Sequence, residues 1–140
     1  MFNQKHIRYA LRIVLRLYLE NKVLSSKEIA QKEFLSYKFT TKILYYLKSK
    51  EIIKSIQGRR GGFYAHKPSN ELFLLDIIKA FDQDISIVVC VENCPKFNNC
   101  KAQNFWNWMN KIFYEIIKNV SIKDILEGKY SEKILLLDFL

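Results

Sequence analysis

Ser36-Tyr37-Lys38-Phe39-Thr40-Thr41-Lys42-Ile43-Leu44-Tyr45-Tyr46-Leu47 leads, four residues later, into Ile52-Ile53-Lys54-Ser55-Ile56 and then Gln57-Gly58-Arg59-Arg60-Gly61-Gly62-Phe63-Tyr64. In the first run Phe39, Ile43 and Leu47 fall four apart and Leu44 joins them, which is the apolar stripe of an amphipathic helix. Its opposite face carries Tyr37, Lys38, Thr41 and Lys42, with Ser36 at its start. The second run is short and β-branched, the glycines of the third permit a tight turn, and Phe63-Tyr64-Ala65 resumes an apolar strand pattern. The sequence therefore predicts a helix followed by a β-hairpin with two arginines at its tip.

Those residue types suit nucleic acid. A helix fits the major groove and can bring Ser36, Tyr37, Lys38, Thr41 and Lys42 to base edges and phosphates. A glycine-rich tip bearing Arg59 and Arg60 can reach the neighbouring minor groove or its phosphates. An ordinary helix and hairpin with a solvated tip fits the same letters, so charge is needed to separate the two. Residues 1–80 hold 16 Lys or Arg against 6 Asp or Glu, whereas residues 81–140 hold 7 against 8. The basic excess is confined to the half that carries the helix and hairpin, as a nucleic-acid footprint on one module requires.

Working back to the start, Ile7, Ala10, Leu11, Val14, Leu15 and Tyr18 repeat with helical spacing, while Arg8, Arg12 and Arg16 form a cationic stripe on another face. Like charges four apart repel, so an anion such as phosphate would relieve the stripe. Ser25 or Ser26 can cap a second helix with Glu28 in its first turn and Ile29, Ala30 and Phe34 on its buried side. Together with the run from Ser36 it makes a helix-turn-helix. Further on, residues 72–81 read as a short buried helix with Asp76 near its start. From Cys100 to Val120, apolar residues from Phe105 through Trp108, Ile112 and Ile116 recur at three and four. That stripe is broad enough to want a partner helix as well as a core. Ser121 caps a short helix, and residues 133–140 form an apolar run that must dock somewhere.

All three cysteines fall in Cys90-Val-Glu-Asn-Cys94-Pro-Lys-Phe-Asn-Asn-Cys100. In an intracellular protein such clustering argues for metal or redox chemistry rather than a structural disulfide. The spacing is not that of paired zinc-ribbon thiolates, and thiolate is also the ligand of iron–sulfur clusters. No catalytic arrangement is present. His6 and His66 pair with no nucleophile, and no Walker or dinucleotide-binding pattern occurs. A small thiol oxidoreductase built on the cysteines is the only enzymatic reading. No apolar run is long enough for a bilayer and the first residues lack a secretory core, so a cytoplasmic protein without a membrane partner is expected.

The runs Arg8-Tyr9-Ala10-Leu11, Ser26-Lys27-Glu28-Ile29-Ala30, Phe39-x-x-x-Ile43-Leu44-x-x-Leu47 and Gly58-x-x-Gly61-Gly62-Phe63-Tyr64, taken with Leu75-Asp76, the cysteines and Ser121-Ile-Lys-Asp-Ile, resemble the Rrf2 family of bacterial winged-helix regulators over nearly the whole chain. The resemblance implies a mainly α fold with a small β-hairpin wing (α+β), in which a winged helix-turn-helix domain is followed by a long C-terminal dimerisation helix. The expected divisions are a DNA-binding domain over 1–81, a sensor loop over 82–104, and the dimerisation helix and tail over 101–140. It implies a homodimer on a palindromic double-stranded operator, contacted by Arg8, Ser36, Tyr37, Lys38, Thr41, Lys42, Arg59 and Arg60. It also implies an iron–sulfur cluster, 2Fe–2S or 4Fe–4S, on Cys90, Cys94 and Cys100. Where some cluster-binding members place a histidine after the last cysteine, this chain has Gln103. Where others take an aspartate from the partner's first helix, it has Arg8. Where the family has glycine after the recognition helix, it has Glu51. A cluster-free member of the family, controlled by thiol oxidation or a protein partner, is the alternative.

Overall fold

Residues 4–81 and 85–131 are described in a computed structural model of the chain. The apolar run 133–140 lies outside them. Three helices come first, α1 (Gln4–Glu20), α2 (Ser26–Glu33) and α3 (Tyr37–Ser49), then an antiparallel hairpin of β1 (Lys54–Ile56) and β2 (Gly62–Tyr64). Helices α4 (Leu74–Ala80), α5 (Lys101–Lys118) and α6 (Ile122–Leu126) complete the order. This is the expected winged helix-turn-helix with a long helix behind it.

The core forms where the apolar stripes of α1, α3 and α4 meet. Ala10, Ile13, Val14 and Leu17 of α1 pack with Ile29, Ile43, Leu44, Leu47 and Ile77, all buried. Each Val, Leu or Ile among them contributes about 1.5–3 kcal/mol by leaving water. The stripe of α1 is thus centred on Ile13 and Leu17, with Leu11, Leu15 and Tyr18 at its edge, a rotation of the expected face.

The helix ends follow from local chemistry. Ser25 Oγ accepts the Glu28 N–H at 3.1 Å and the Glu28 carboxylate accepts the Ser25 N–H at 2.7 Å, a closed capping box. Those hydrogen bonds from Ser25, backbone before side chain, hold the Glu28 carboxyl below its usual range. Ser36 Oγ caps α3 through the Phe39 N–H at 3.2 Å. Both helices end on a residue in the left-handed region, Phe34 at φ +55 and Glu51 at φ +59. There the Leu35 and Ile52 N–H groups donate back to Ala30 and Leu47, as in a Schellman ending.

Phe34 was expected on the buried side of α2 and is 93% exposed. The left-handed backbone that turns the chain toward α3 carries its side chain out of the core, and the buried residue beside it is Glu33.

The wing is held on by Leu24, whose N–H and carbonyl exchange hydrogen bonds with Phe63 at 3.0 and 2.8 Å. Gly62 is needed for this approach, since a Cβ there would lie 2.3 Å from the Leu24 carbonyl oxygen. Behind the wing, Leu74 N–H donates to Val120 and Ile122 N–H to Leu72, which fastens the start of α4 to the junction of α5 and α6. Ile7, Ile78 and Ile117 form a second buried cluster there and anchor the C-terminal end of α5. No helix among the described residues is long and apolar enough to cross a membrane.

Candidate functional site

The outward face of α3 displays Tyr37, Lys38, Lys42 and Tyr45. Thr41 is half-buried and its hydroxyl donates to the Lys38 carbonyl at 2.9 Å, which leaves its oxygen free to accept. Ser36 spends an acceptor site on the helix cap and keeps its O–H. Arg59 and Arg60 are exposed at the wing tip, where Gly58 stands at φ +119. Between the start of α2, the flank of α3 and the wing runs an open groove of about 390 Å³, with Ser25, Lys27, Tyr37, Lys48 and Gln57 on its walls. Lys27, Tyr45 and Lys48 were not singled out in the sequence. A lysine is informative only once its neighbours are known, and Tyr45 sits next to the buried stripe in sequence.

The cationic stripe of α1 is only partly free. Arg12 Nε and Arg16 Nε bind the two carboxylate oxygens of buried Glu33 at 3.1 and 2.8 Å, and an Arg12 terminal nitrogen also donates to the Glu33 carbonyl. Their partner is a carboxylate of the chain itself, not phosphate, and they brace the turn that sets α3. Arg8 stays exposed, its guanidinium 6.0 Å from the Tyr9 ring centroid. Neither histidine is a free surface group. His6 packs between Phe39 and Phe81 at 5.7 and 6.1 Å, and His66 Nδ1 is buried with no hydrogen-bond partner. Burial, and then Lys54 and Lys67, push its pKa below the ordinary value.

The cysteine segment is a chain of turns closed by Cys94, Phe97 and Asn99 N–H groups donating to carbonyls three residues back. At one end Asn110 of α5 pins it, accepting from Ile87 N–H at 2.8 Å and donating to the Val88 carbonyl at 2.8 Å. At the other end Cys100 is the residue before α5. All three cysteines are free thiols and line one pocket of about 210 Å³. Val89, Val91 and Phe97 form its apolar wall, and Gln103 is its one side chain with a nitrogen or oxygen donor. Among the described residues no three His, Cys, Asp or Glu side chains are already drawn together as a metal site. The donor set nevertheless suits an iron–sulfur group, since three soft sulfur ligands line one apolar-walled pocket, Cys90 and Cys94 from its exposed side. Asn110 had no signal in the sequence beyond being an amide inside an aromatic stripe.

The family model for Rrf2, described as an iron-dependent transcriptional regulator, matches residues 3–128. The chain belongs to the Rrf2 family. Rrf2 proteins are DNA-binding transcriptional regulators, not enzymes, and this chain is one of them. It is 26% identical to Protein aau3 of Rhizobium meliloti (strain 1021), over 89% of this chain and 84% of that protein. It is 24% identical to the HTH-type transcriptional regulator NsrR of Oceanobacillus iheyensis, over 90% of each. Its fold matches the structure of CymR (YrzC), the global cysteine regulator of B. subtilis, with a TM-score of 0.75 and 23% identity over 89% of this chain and 95% of that one.

Proposed function

We propose that this Rrf2 regulator works as a homodimer on a palindromic operator, and that an iron–sulfur cluster on Cys90, Cys94 and Cys100 sets its affinity. Residues 1–81 are the DNA reader, 82–104 the sensor loop and 101–140 the dimerisation segment. Tyr37, Lys38, Thr41 and Lys42 face base edges and phosphates of the major groove from α3, Ser36 caps it, and Arg59, Arg60 and Arg8 meet phosphates or the minor groove on either side. The observation that carries the reading is the gathering of all three thiols on one apolar pocket directly at the start of α5. A bound cluster would supply a group whose loss or change reports redox state, nitric oxide or iron–sulfur supply.

The dimer has its own support. Phe105, Trp108 and Ile116 of α5 are 51%, 54% and 41% exposed, although the same helix anchors its C-terminal end in the core. Exposed aromatic surface of this extent is satisfied by a second copy of the helix. A cluster-free regulator switched by thiol oxidation is the second reading, favoured by the exposure of Cys90 and Cys94.

Anaerobic reconstitution followed by an iron assay and a DNA titration separates these. Wild type should take up iron and bind duplex with a steep salt dependence. Changing Arg59 and Arg60 to Ala should lower the slope of log affinity against log salt by about 0.9 per lost contact. Unchanged slope and affinity would remove the wing from the interface. Absence of iron uptake would leave the thiol switch.

A further inference from the structure

Phe34 is the most exposed large apolar side chain among those described, at 93%, and its backbone lies at φ +55, ψ +46. Both features are costly. A ring in water gains nothing from burial, and a side chain in the left-handed region strains against its own carbonyl. Glycine would remove both costs at this helix ending. The backbone at Phe34 is fixed on both sides, because Glu33 before it is clamped by Arg12 and Arg16 and Leu35 after it is bonded to Ala30. An exposed ring on a strained and fixed backbone points to a contact made outside the subunit.

The stretch of chain that follows Phe34 suggests the occupant. Along α3 and its approach, residues 31–50 hold Lys38, Lys42, Lys48 and Lys50 beside Lys32, which is paired with Glu20, and the one acid of that stretch, Glu33, is buried and paired. Such a surface suits a polyanion. Phe34 stands two residues before Ser36, the cap of α3, so it arrives wherever the N-terminal turn of that helix arrives. The apolar group that base pairs present in the major groove is the thymine C5-methyl. We propose that Phe34 is a specificity-determining residue of this regulator, its ring packing on a thymine methyl in each half-site. This rests on α3 being the helix that enters the groove.

A duplex selected by wild type from a random pool supplies the probe. Phe34→Gly and Phe34→Asn both tolerate the left-handed backbone, so both should fold, the glycine variant with a raised thermal midpoint. Each should bind the selected duplex about tenfold more weakly, the scale of one mismatched base pair. Their affinity for unrelated duplex should be unchanged. Replacing thymines one at a time by deoxyuridine removes only the methyl. One position should weaken wild type by the same factor and leave Phe34→Gly unaffected. If the variants bind the selected duplex as wild type does, or if no uracil effect disappears in them, the proposal is wrong. Should Tyr37→Ala weaken binding while Phe34→Gly does not, α3 still reads DNA and Phe34 faces something else. If neither matters, the assignment of α3 falls with it.

Discussion

Glu51 occupies the position after α3 at φ +59, exposed, with the Ile52 N–H closing the turn on Leu47. The left-handed backbone costs a residue with a Cβ about 1–2 kcal/mol. The Glu51 N–H donates to the Lys48 carbonyl, as any residue's would, and its side chain makes no hydrogen bond among those described that would offset the cost. Glu51→Gly should relieve that strain and return about 0.5–1 kcal/mol of it as unfolded-chain entropy. A net gain of roughly 0.5–1 kcal/mol, or about 2–4 °C in Tm, is expected by calorimetry. An unchanged or lower Tm would mean that the turn is not strained. His66 gives a pH prediction whose sign is fixed by burial. Its pKa is lowered in the native state, so the unfolded chain binds the proton first and stability falls as pH drops below about 6.5. The carboxylates held low by hydrogen bonds and cations, Glu20, Glu28 and Asp124, lose their contributions only further down, below about pH 4.5. Tm measured from pH 5 to 7 should therefore slope in wild type and flatten in His66→Gln. Equal slopes in the two proteins would assign the acid sensitivity elsewhere. Glu51 raises the His66 pKa, so the scan belongs on a chain with Glu51 intact. These residue-scale features were the least legible in the sequence. A missing glycine at 34 or 51 reads as a weak turn, whereas the chain keeps the turn and accepts the strain.

At the scale of elements, periodicity gave α3, the wing and the long helix near their observed bounds, because each carries an apolar face, α3 and the wing against the main core and the end of the long helix against the second cluster. It failed where two surfaces share a period. The apolar residues of α5 recur at three and four whether they pack inside the subunit or across a dimer, and within the helix Ile117 alone is buried. Arg12 and Arg16 read as a phosphate stripe for a similar reason, since Glu33 lies 17 residues or more away and nothing local announces the pairing. The structure separates the two faces of α5 and makes the dimer testable. Trp108→Glu would place an unpaired charge in the seam, at a cost of several kcal/mol if the seam closes. The wild type should sediment as a dimer at micromolar concentration and the variant as a monomer of unchanged helicity. A monomeric wild type would overturn the assignment of this face without any variant.

Across the whole molecule, a short run of rings ties α3 and α1 to the end of α4, where Phe81 and Ile85, the latter on the segment leading to the cysteines, pack on the same cluster of Ile7, Ile78 and Ile117. Phe81, at the end of α4, packs on Tyr46 of α3 at 5.4 Å and on His6 of α1 at 6.1 Å, and His6 in turn packs on Phe39 of α3. The cysteine loop follows in sequence and is pinned to α5 through Asn110, while α4 and α5 share the cluster of Ile78 and Ile117. Ordering the loop around a cluster would thus bias the seat of Phe81, and with it the angle of the two reading helices in a dimer. The effect on operator affinity can be no larger than the difference with which the cluster stabilises the two arrangements. A coupling of about 1–3 kcal/mol, roughly 5- to 150-fold in affinity, is the usual scale. Cys94→Ser should abolish anaerobic iron uptake and bring operator affinity to the apo value, with the dimer and salt-sensitive binding to unrelated duplex intact. Phe81→Ala should do something different. It keeps the three thiols and should still take up iron, but the ratio of holo to apo affinity should shrink toward one because the ring that carries the bias is gone. Titrating one operator with holo and apo forms of wild type and Phe81→Ala, beside Cys94→Ser, decides the matter. If Phe81→Ala retains the full holo-to-apo ratio, the coupling runs through the α5 seam and not through the rings.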